Sequence, residues 1–402
     1  PERMTETKQS PHALLGVERS ILGKPWRARL DPAGEAAALA LVQTLGLDDL
    51  TARILAGRGV LRSGAGAAME ALAERCGALL ATSLFAKGLF DHNRFGIGVA
   101  GAYASPLARE EFAACDLLIG VGAGLGHYTT EAGYLYPNAK TVQIDLNPRG
   151  LYQGLRIADM HIKADAKATA DAVLAKLVEQ KFSSVGARSP MLANQIAAMA
   201  ARPDSKEFLV ADGAVDPRPA MLELDAAIPK DWTVVCGGAH FAGIAVTHMY
   251  GRHAQNVHVI NDFGAIGSAF SVAIGMAAAR NDGKVLLIEG DGSLMMHIQE
   301  LETLRRMGIR MLICAVNDGG YGAEVHKFRA QGYNPAESQH GRGDIAAIAR
   351  GFGLRGEKVN TLGRFKELFA AHDAQGSAEL WDLHVDDKIP SAPYRRIHFG
   401  EL

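Results

Sequence analysis

Residues 285–322 read VLLIEGDGSLMMHIQELETLRRMGIRMLICAVNDGGYG, and this stretch decides the fold. An apolar run over 285–288 stops at a Gly-Asp-Gly-Ser turn (290–293), after which apolar residues recur at helical spacing. A second apolar run over 311–316 ends at an Asn-Asp-Gly-Gly turn (317–320). The order of strand, helix and strand predicts two parallel, adjacent strands whose carboxyl ends lie at one edge of a sheet.

The two turns bring together residue types that bind phosphate and a divalent cation. A Gly-rich turn before a helix presents unpaired backbone N–H groups, which makes Gly290, Gly292 and Ser293 candidate phosphate contacts. Mg²⁺ prefers oxygen ligands and is commonly held by one or two carboxylates together with phosphates. We therefore expect Asp291 and Asp318 to share one Mg²⁺ with a diphosphate and a loop carbonyl. A pair of such turns indicates a site more strongly than an isolated Asp-Gly turn does.

Composition restricts the class of protein. The chain has 402 residues, 48% hydrophobic and 21% charged, a length that favours two or three domains. Its 42 basic and 44 acidic residues give a formal net charge of −2 without a block of like charge, which argues against nucleic acid or membrane partners. No apolar run is long enough to cross a bilayer, and the start lacks a signal-peptide pattern. With four scattered cysteines, we expect a cytoplasmic protein that acts on small molecules.

The rhythm of apolar runs and Ala-rich stretches divides the chain into four parts. Residues 1–35 contain several breakers and are interpreted as a linker or tail. Short apolar runs alternate with helical stretches over 36–180, which predicts a central doubly wound α/β domain with a mainly parallel sheet. A connector at 181–214 precedes a second doubly wound α/β domain at 215–402. Ligands of such domains bind beyond the carboxyl ends of the strands.

The GDG turn followed by Asn317-Asp318 resembles the signature of the thiamine diphosphate (ThDP) enzyme superfamily, which is GDG and, further along, an Asn-Asn pair. The match is closest to the branch of pyruvate decarboxylase, benzoylformate decarboxylase and acetolactate synthase. The segments GRGVLRSGAGAAMEALAERCGALLATSLFAKG and FAACDLLIGVGAGLG resemble the central domain of that branch, and the chain from Asp216 onward resembles its diphosphate-binding domain. The resemblance implies a ThDP- and Mg²⁺-dependent lyase or transferase for 2-oxo acids, assembled as a homodimer or homotetramer.

The resemblance also assigns the metal ligands. The superfamily places the GDG aspartate, the second residue of the Asn-Asn pair and a main-chain carbonyl two residues later on the metal. These positions are Asp291, Asp318 and Gly320 in this chain, and Tyr321 is added as a cofactor contact. Asp318 departs from the usual Asn and adds a negative charge beside the ion. Because a carboxylate is at least as good a ligand as an amide oxygen, we expect Mg²⁺ binding to survive.

A second contact segment, VVCGGAHFAG, resembles the strand and loop that covers the far side of the diphosphate in acetolactate synthases. The resemblance places Gly238, Ala239 and His240 at the contact positions. A lone histidine after an apolar strand is also compatible with a hydrogen-bonded structural role. Both interpretations stay open for His240.

A third segment, FGAIGSAFSVAIGMAAA, resembles the stretch below the cofactor in this family. The resemblance implies that Gly264 offers its carbonyl to the aminopyrimidine ring. It also implies that Ile266 is the apolar wedge that bends ThDP into a V. Simple core packing is the alternative for Ile266.

The substrate side of the site rests on Glu324. In the pyruvate decarboxylase pattern the matching acid faces the reacting carbon, where burial would raise its pKa enough for proton transfer. The alternative is a surface ion pair with Lys327 or Lys358. An acid at this position favours decarboxylation, whereas the overall similarity of the sequence favours acetolactate synthases. The choice between decarboxylation and carboligation therefore stays open.

The resemblance implies one further domain, which carries the glutamate that activates the aminopyrimidine. Residues 1–35 contain no match to it. We expect this domain either to have been lost from the sequence or to lie on a separate pyrimidine-binding chain. A catalytically silent ThDP-binding subunit is therefore an alternative function.

The segment DLLIGVGAGLGHY supports a second alternative, a nucleotide-binding oxidoreductase that uses the loop from Gly120 to Gly126. Glycines at every second position follow a strand, and Asp145 ends the next strand, where an acid would meet a ribose. The spacing does not satisfy GxGxxG in any register. Some members of the resembled family bind FAD or ADP in this domain, but no motif here supports either ligand.

Overall fold

The computed structural model describes residues 51–148, 151–152, 155–201 and 203–401. Two six-stranded, mainly parallel sheets with interleaved helices form this part of the chain, which confirms the α/β fold. The linker expected at 1–35 lies outside the described residues. No helix among the described residues is long and apolar enough to cross a membrane.

Two compact units are present. One comprises the described residues of 51–81 and 111–189, and the other those of 82–110 and 190–401. The segment 82–110 therefore groups with the second unit, although it lies within the central domain expected from the sequence.

The first sheet has the strand order β3-β2-β1-β4-β5-β8. Its strands are β1 Ala52–Ala56, β2 Leu79–Thr82, β3 Gly96–Val99, β4 Leu117–Val121, β5 Lys140–Asp145 and β8 Met160–Lys163. A separate antiparallel pair is formed by β6 Leu151–Tyr152 and β7 Leu155–Arg156. The helices that accompany these strands are α1 Arg58–Ser63, α2 Gly66–Cys76, α3 Pro106–Ala113, α4 His127–Thr130 and α5 Ala166–Glu179.

The second sheet has the strand order β10-β9-β11-β12-β14-β13. Its strands are β9 Thr233–Gly237, β10 Val257–Ile260, β11 Val285–Gly290, β12 Leu312–Asn317, β13 Arg355–Val359 and β14 Glu379–His384. The helices of this part are α6 Pro190–Ala201, α7 Pro217–Ala227, α8 His240–His248, α9 Ser268–Arg280, α10 Asp291–Met295, α11 Glu300–Met307, α12 Gly322–Ala330, α13 Ile345–Gly351, α14 Phe365–Asp373 and α15 Ala392–Phe399.

Strand β11 is buried on both faces, which explains its uninterrupted apolar sequence. Leu286 and Ile288 join one hydrophobic cluster of the second unit, and Val285 and Leu287 join another. Strand β11 pairs in parallel with β12, with Gly290 opposite Val316. The sequence prediction of two adjacent parallel strands is therefore confirmed, and the turns that follow them share one edge of the sheet.

The helix expected after the GDG turn is interrupted. Helix α10 ends at Met295, and α11 begins only at Glu300. Between them, the N–H groups of Met296 and His297 donate to the carbonyls of Ser293 and Leu294, three residues back. This tighter, 3₁₀-like spacing breaks the α-helical hydrogen-bond series, and the prediction of one continuous helix is wrong.

The Gly-rich loop 120–126 packs against the turn that follows β1. The Gly57 N–H donates to the Val121 carbonyl at 2.8 Å, and the Gly59 N–H donates to the Gly122 carbonyl at 3.0 Å. A Cβ on Gly122, whose φ is +56°, would lie 2.6 Å from Gly59 Cα. Close backbone contact thus accounts for a glycine in this loop without a bound nucleotide.

Replacing Gly122 by alanine is expected to destabilise the first unit. The left-handed backbone alone costs about 1–2 kcal/mol for an alanine, and the overlap with Gly59 adds to that loss. Urea unfolding followed by circular dichroism measures the effect. Gly124→Ala is the matched control, because no atom lies within 4 Å of its built Cβ. Equal losses in the two variants would contradict this explanation of the loop.

Two buried histidines of the second unit are neutral in the fold. His248, on α8, donates its Nδ1 proton to the Ile244 carbonyl at 3.0 Å, and His326 lies buried on α12. Burial lowers the pKa of each ring to about 4. The fold must therefore bind fewer protons than the unfolded chain between about pH 4 and pH 6.5.

We expect His248 and His326 to lower the stability of the second unit in mild acid, against the opposite contribution of Glu289 and Asp291, whose pKa burial raises to about 7. The histidine contribution is fully present above about pH 6.5 and is lost as the pH falls towards 4, at about 2 kcal/mol per ring by pH 5. Urea unfolding at pH 7.5 and at pH 5 measures the slope of stability against pH, and His326→Leu is expected to remove about 2 kcal/mol of acid destabilisation relative to the unchanged chain. An unchanged slope in the variant would mean that His326 is not the group that titrates.

Candidate functional site

Two carboxylates lie at neighbouring strand ends of the second sheet. Asp291 is buried, and its Oδ2 accepts a hydrogen bond from the Gly319 N–H at 2.9 Å. Asp318 Oδ1 accepts one from the Gly320 N–H at 3.1 Å. Burial raises the pKa of Asp291 to about 7, and burial together with the Asp291 charge raises the pKa of Asp318 well above its usual range. The structure thus brings together the two aspartates predicted from the sequence.

The Asn317 side chain, at the start of the turn, holds the loop after β12 in place through hydrogen bonds. This side chain is fully buried and donates to Asp382 Oδ1 at 2.8 Å and to the Arg342 carbonyl at 3.0 Å. A Cβ on Gly322 would lie 2.1 Å from Asp318 Oδ2. Glycine at 322 therefore leaves the room that the Asp318 carboxylate occupies.

The donor set of this edge fits a hard divalent cation. Asp291, Asp318 and the Gly320 carbonyl supply oxygen atoms, which Mg²⁺ prefers. The described part of the chain contains no group of three or more His, Cys, Asp or Glu side chains arranged to hold a metal ion.

The GDG turn is closely packed, as a phosphate-binding turn must be. A Cβ on Gly290 would lie 2.9 Å from the Phe241 ring, and one on Gly292 would lie 2.9 Å from the Tyr321 ring. Ser293 is buried in the first turn of α10. Gly292 and the Tyr321 ring are thus adjacent, and the role of the turn, Ser293 and Tyr321 in cofactor binding stays a prediction.

The turn after β9 lies beside the GDG turn. Ala239 is the N-cap residue of α8 and provides no side-chain cap, so the first N–H groups of that helix are not capped by a side chain. A Cβ on Gly238 would lie 2.5 Å from Asn261 Oδ1. The phosphate contact expected for 238–240 stays a prediction.

The His240 side chain makes its contacts with residues outside the GDG turn. Its Nε2 accepts a hydrogen bond from the Ser391 N–H at 2.8 Å, and its ring packs against His326 (centroids 4.2 Å apart) and Tyr394 (5.0 Å). Burial lowers the pKa of His240 well below its usual range. The ring therefore has the structural environment that the sequence left open as an alternative.

The segment 263–267 has an unusual backbone. Gly264 is exposed with φ +66°, and Ile266 is only half-buried. A Cβ on Gly267, φ +84°, would lie 2.6 Å from the Ser293 carbonyl oxygen. The segment thus lies against the GDG turn, and Ile266 is not a fully buried core residue.

Glu324 is exposed on α12. Its Oε1 lies 3.3 Å from Lys327 Nζ, the surface ion pair that the sequence analysis gave as the alternative to a catalytic role. Its catalytic role stays a prediction.

Two site residues were missed by the sequence analysis. His340 Nε2 lies 3.8 Å from Asp291 Oδ2, and its ring stands edge-on to Tyr321 with centroids 5.6 Å apart. Nothing in the sequence around His340 indicates this position. Glu289 is buried beside the GDG turn, and burial raises its pKa to about 7. The sequence did contain a signal for Glu289, since it is an acidic residue in an otherwise apolar strand.

Comparison with known proteins agrees with this geometry. The family model of the thiamine pyrophosphate enzyme central domain matches residues 51–173, and that of the thiamine pyrophosphate enzyme C-terminal TPP binding domain matches residues 240–378.

Curated relatives match most of this chain. The acetolactate synthase large subunit of Parasynechococcus marenigrum is 27% identical over 337 residues, which cover 82% of this chain and 53% of the relative. A probable acetolactate synthase large subunit of Methanocaldococcus jannaschii is 25% identical, covering 85% and 58%. The 3D-(3,5/4)-trihydroxycyclohexane-1,2-dione hydrolase of Shouchella clausii is 24% identical, covering 85% and 58%. The chain thus spans little more than half the length of these relatives.

The two family models together cover more than half of the chain, and the second includes both aspartate turns. The chain therefore belongs to the thiamine pyrophosphate enzyme family, of which it carries the central domain and the C-terminal TPP-binding domain.

Proposed function

We propose that this chain is the cofactor-anchoring part of a ThDP- and Mg²⁺-dependent enzyme that makes or breaks a C–C bond next to the carbonyl of a 2-oxo acid. The observation that carries the proposal is the pair formed by the buried Asp291 and the half-buried Asp318 at the ends of β11 and β12, within the matched TPP-binding domain. Because the chain spans 53–60% of the length of relatives such as those of Parasynechococcus, Methanocaldococcus and Mycobacterium, the proposal concerns the activity of the whole protein.

Each segment of the edge has a proposed task. Asp291, Asp318 and the Gly320 carbonyl hold Mg²⁺, and the ion compensates the charge of the two carboxylates. Among the described residues, the basic side chain recorded beside Asp291 is that of His340, at 3.8 Å. The main chain of the GDG turn and of 238–240 binds the diphosphate. When bound, ThDP supplies the carbanion chemistry next to the substrate carbonyl, and the protein supplies binding and orientation.

The segment below the cofactor has the proposed task of shaping its rings. The Gly264 carbonyl is exposed and can accept a hydrogen bond from the aminopyrimidine, and the half-buried Ile266 can contact the ring pair. Packing of Gly267 against Ser293 fixes this segment relative to the GDG turn.

Two observations favour carboligation over decarboxylation. The relatives include several acetolactate synthase large subunits, and Glu324 is paired with Lys327 at the surface instead of buried near the site. A 2-oxo acid decarboxylase is the second candidate, because Glu324 is an acid at the position that carries one in the pyruvate decarboxylase pattern. Product analysis with pyruvate distinguishes acetolactate from acetaldehyde.

The partners proposed for this chain are a 2-oxo acid, a second copy of the chain and a pyrimidine-binding domain that supplies the activating glutamate. A catalytically silent ThDP-binding subunit is the alternative if no such domain joins it. The four cysteines are free and buried, in keeping with the cytoplasmic location that we propose.

Asp291→Ala is expected to weaken ThDP binding in Mg²⁺ by at least about 100-fold, because loss of one partner of a buried charge contact costs roughly 3 kcal/mol or more. Isothermal titration calorimetry measures the affinity. Asp282→Ala, which removes an exposed acid paired with Arg280, is the control and is expected to bind as the unchanged chain does. Undiminished binding by Asp291→Ala would contradict the proposed metal site.

Two substitutions of Asp318 test its place on the metal. Asp318→Asn restores the residue usual in the resembled family and is expected to retain Mg²⁺, whereas Asp318→Leu is expected to abolish binding by leaving the ion under-coordinated. Mg²⁺ titrations in the presence of ThDP compare the three proteins. Equal affinity in all three would place Asp318 outside the coordination shell.

A further inference from the structure

Glu289 is a buried acid without a compensating charge. It is the penultimate residue of β11 and is 1% exposed. Its Oε1 accepts the Gly290 N–H at 3.3 Å, and its Oε2 has no hydrogen-bond partner in the described part of the chain. No lysine, arginine or histidine within 4 Å of its carboxylate is recorded among the described ion pairs. Such a group opposes folding, so its presence needs another explanation.

The Glu289 carboxyl lies directly against the turn after β9. A Cβ built on Gly237 would lie 2.2 Å from Oε1, 2.6 Å from Cδ and 2.7 Å from Oε2. The carboxyl group thus fills the space that a side chain at 237 would take. Gly237 immediately precedes the 238–240 main chain, which is the proposed far wall of the diphosphate site.

The same carboxyl also reaches the GDG turn. Its Oε1 accepts the Gly290 N–H at 3.3 Å. Further along the same turn, the Ser293 carbonyl oxygen lies 2.6 Å from the position of a Cβ on Gly267. Glu289 therefore contacts two of the proposed cofactor segments, and the third segment packs against the GDG turn.

We infer that Glu289 is a positioning residue, which sets the spacing between the turn after β9 and the GDG turn and thereby the width of the diphosphate site. This inference rests on the proposed function and adds a residue to it. A buried, half-satisfied carboxyl suits this role because an apolar residue of similar size cannot accept the Gly290 N–H.

The inference predicts that stability and cofactor affinity change in opposite directions in Glu289→Leu. Removing a buried carboxyl with an unpaired oxygen is expected to leave the thermal midpoint unchanged or raised. ThDP affinity in Mg²⁺ is expected to fall by at least about tenfold, because the two turns lose their shared contact. Glu289→Gln keeps the shape and the acceptor, and is expected to bind within about threefold of the unchanged chain.

Calorimetry with ThDP and thermal unfolding are measured on the same preparations. Glu379→Gln is the matched control: Glu379 is equally buried at the opposite end of the sheet, where His372 and Trp381 hydrogen-bond it. The control is expected to lose stability and to keep its ThDP affinity. Parallel losses of stability and affinity in Glu289→Leu, without rescue by Glu289→Gln, would reduce Glu289 to a structural role and overturn the inference.

A double-mutant cycle with Gly237→Ala keeps the test valid if Glu289→Leu fails to fold. Gly237→Ala alone is expected to weaken ThDP binding by displacing the carboxyl. If Glu289 positions the turns, Gly237→Ala/Glu289→Ala binds as weakly as Glu289→Ala, whereas recovery of affinity would show that Glu289 only fills space. Absence of ThDP binding by the unchanged chain would refute the proposed function itself, and equal binding by every variant would refute only the inference.

Discussion

The parallel pairing of β11 with β12 is the constraint on which the site depends. With Gly290 opposite Val316, the residues that follow each strand must emerge at the same edge of the sheet. A shift of one residue in this register would turn every side chain of the strand to the other face and separate the aspartates. The hydrophobic clusters on both faces hold the register, because each of the first four residues of β11, 285–288, already fills a place in one of them.

Close packing at glycines then sets the size of the site. Gly237, Gly292 and Gly322 each lack a Cβ where a neighbouring side chain occupies the space: Glu289, Tyr321 and Asp318 respectively are the neighbours. Each of these three neighbours is either a proposed site residue or lies directly beside one. The turns can therefore approach one another more closely than a chain with larger residues would permit.

The sequence predicted the strands well because both faces of the second sheet are buried, which leaves uninterrupted apolar runs. Edge strand β13 was missed, since Arg355–Val359 is partly exposed and contains three charged residues. The pairing of Asp291 with Asp318 followed from strand order alone. The orientation of His240 did not, because it depends on the Ser391 N–H, 151 residues further along the chain. Contacts of that range leave no local pattern, and the position of His340 beside Asp291 has the same explanation.

The two carboxylates at this edge of the sheet affect each other's ionisation. Asp291 and Asp318 are held close together in a poorly solvated space, so each opposes the ionisation of the other. A divalent cation removes that opposition, because one ion attracts both carboxylates and forms a bridge to phosphate oxygens. In the proposed site, two ionised carboxylates without a cation would repel a diphosphate. Under that proposal the cation would be needed for the diphosphate to bind, and a second carboxylate at 318 would make the need stricter than a single carboxylate does.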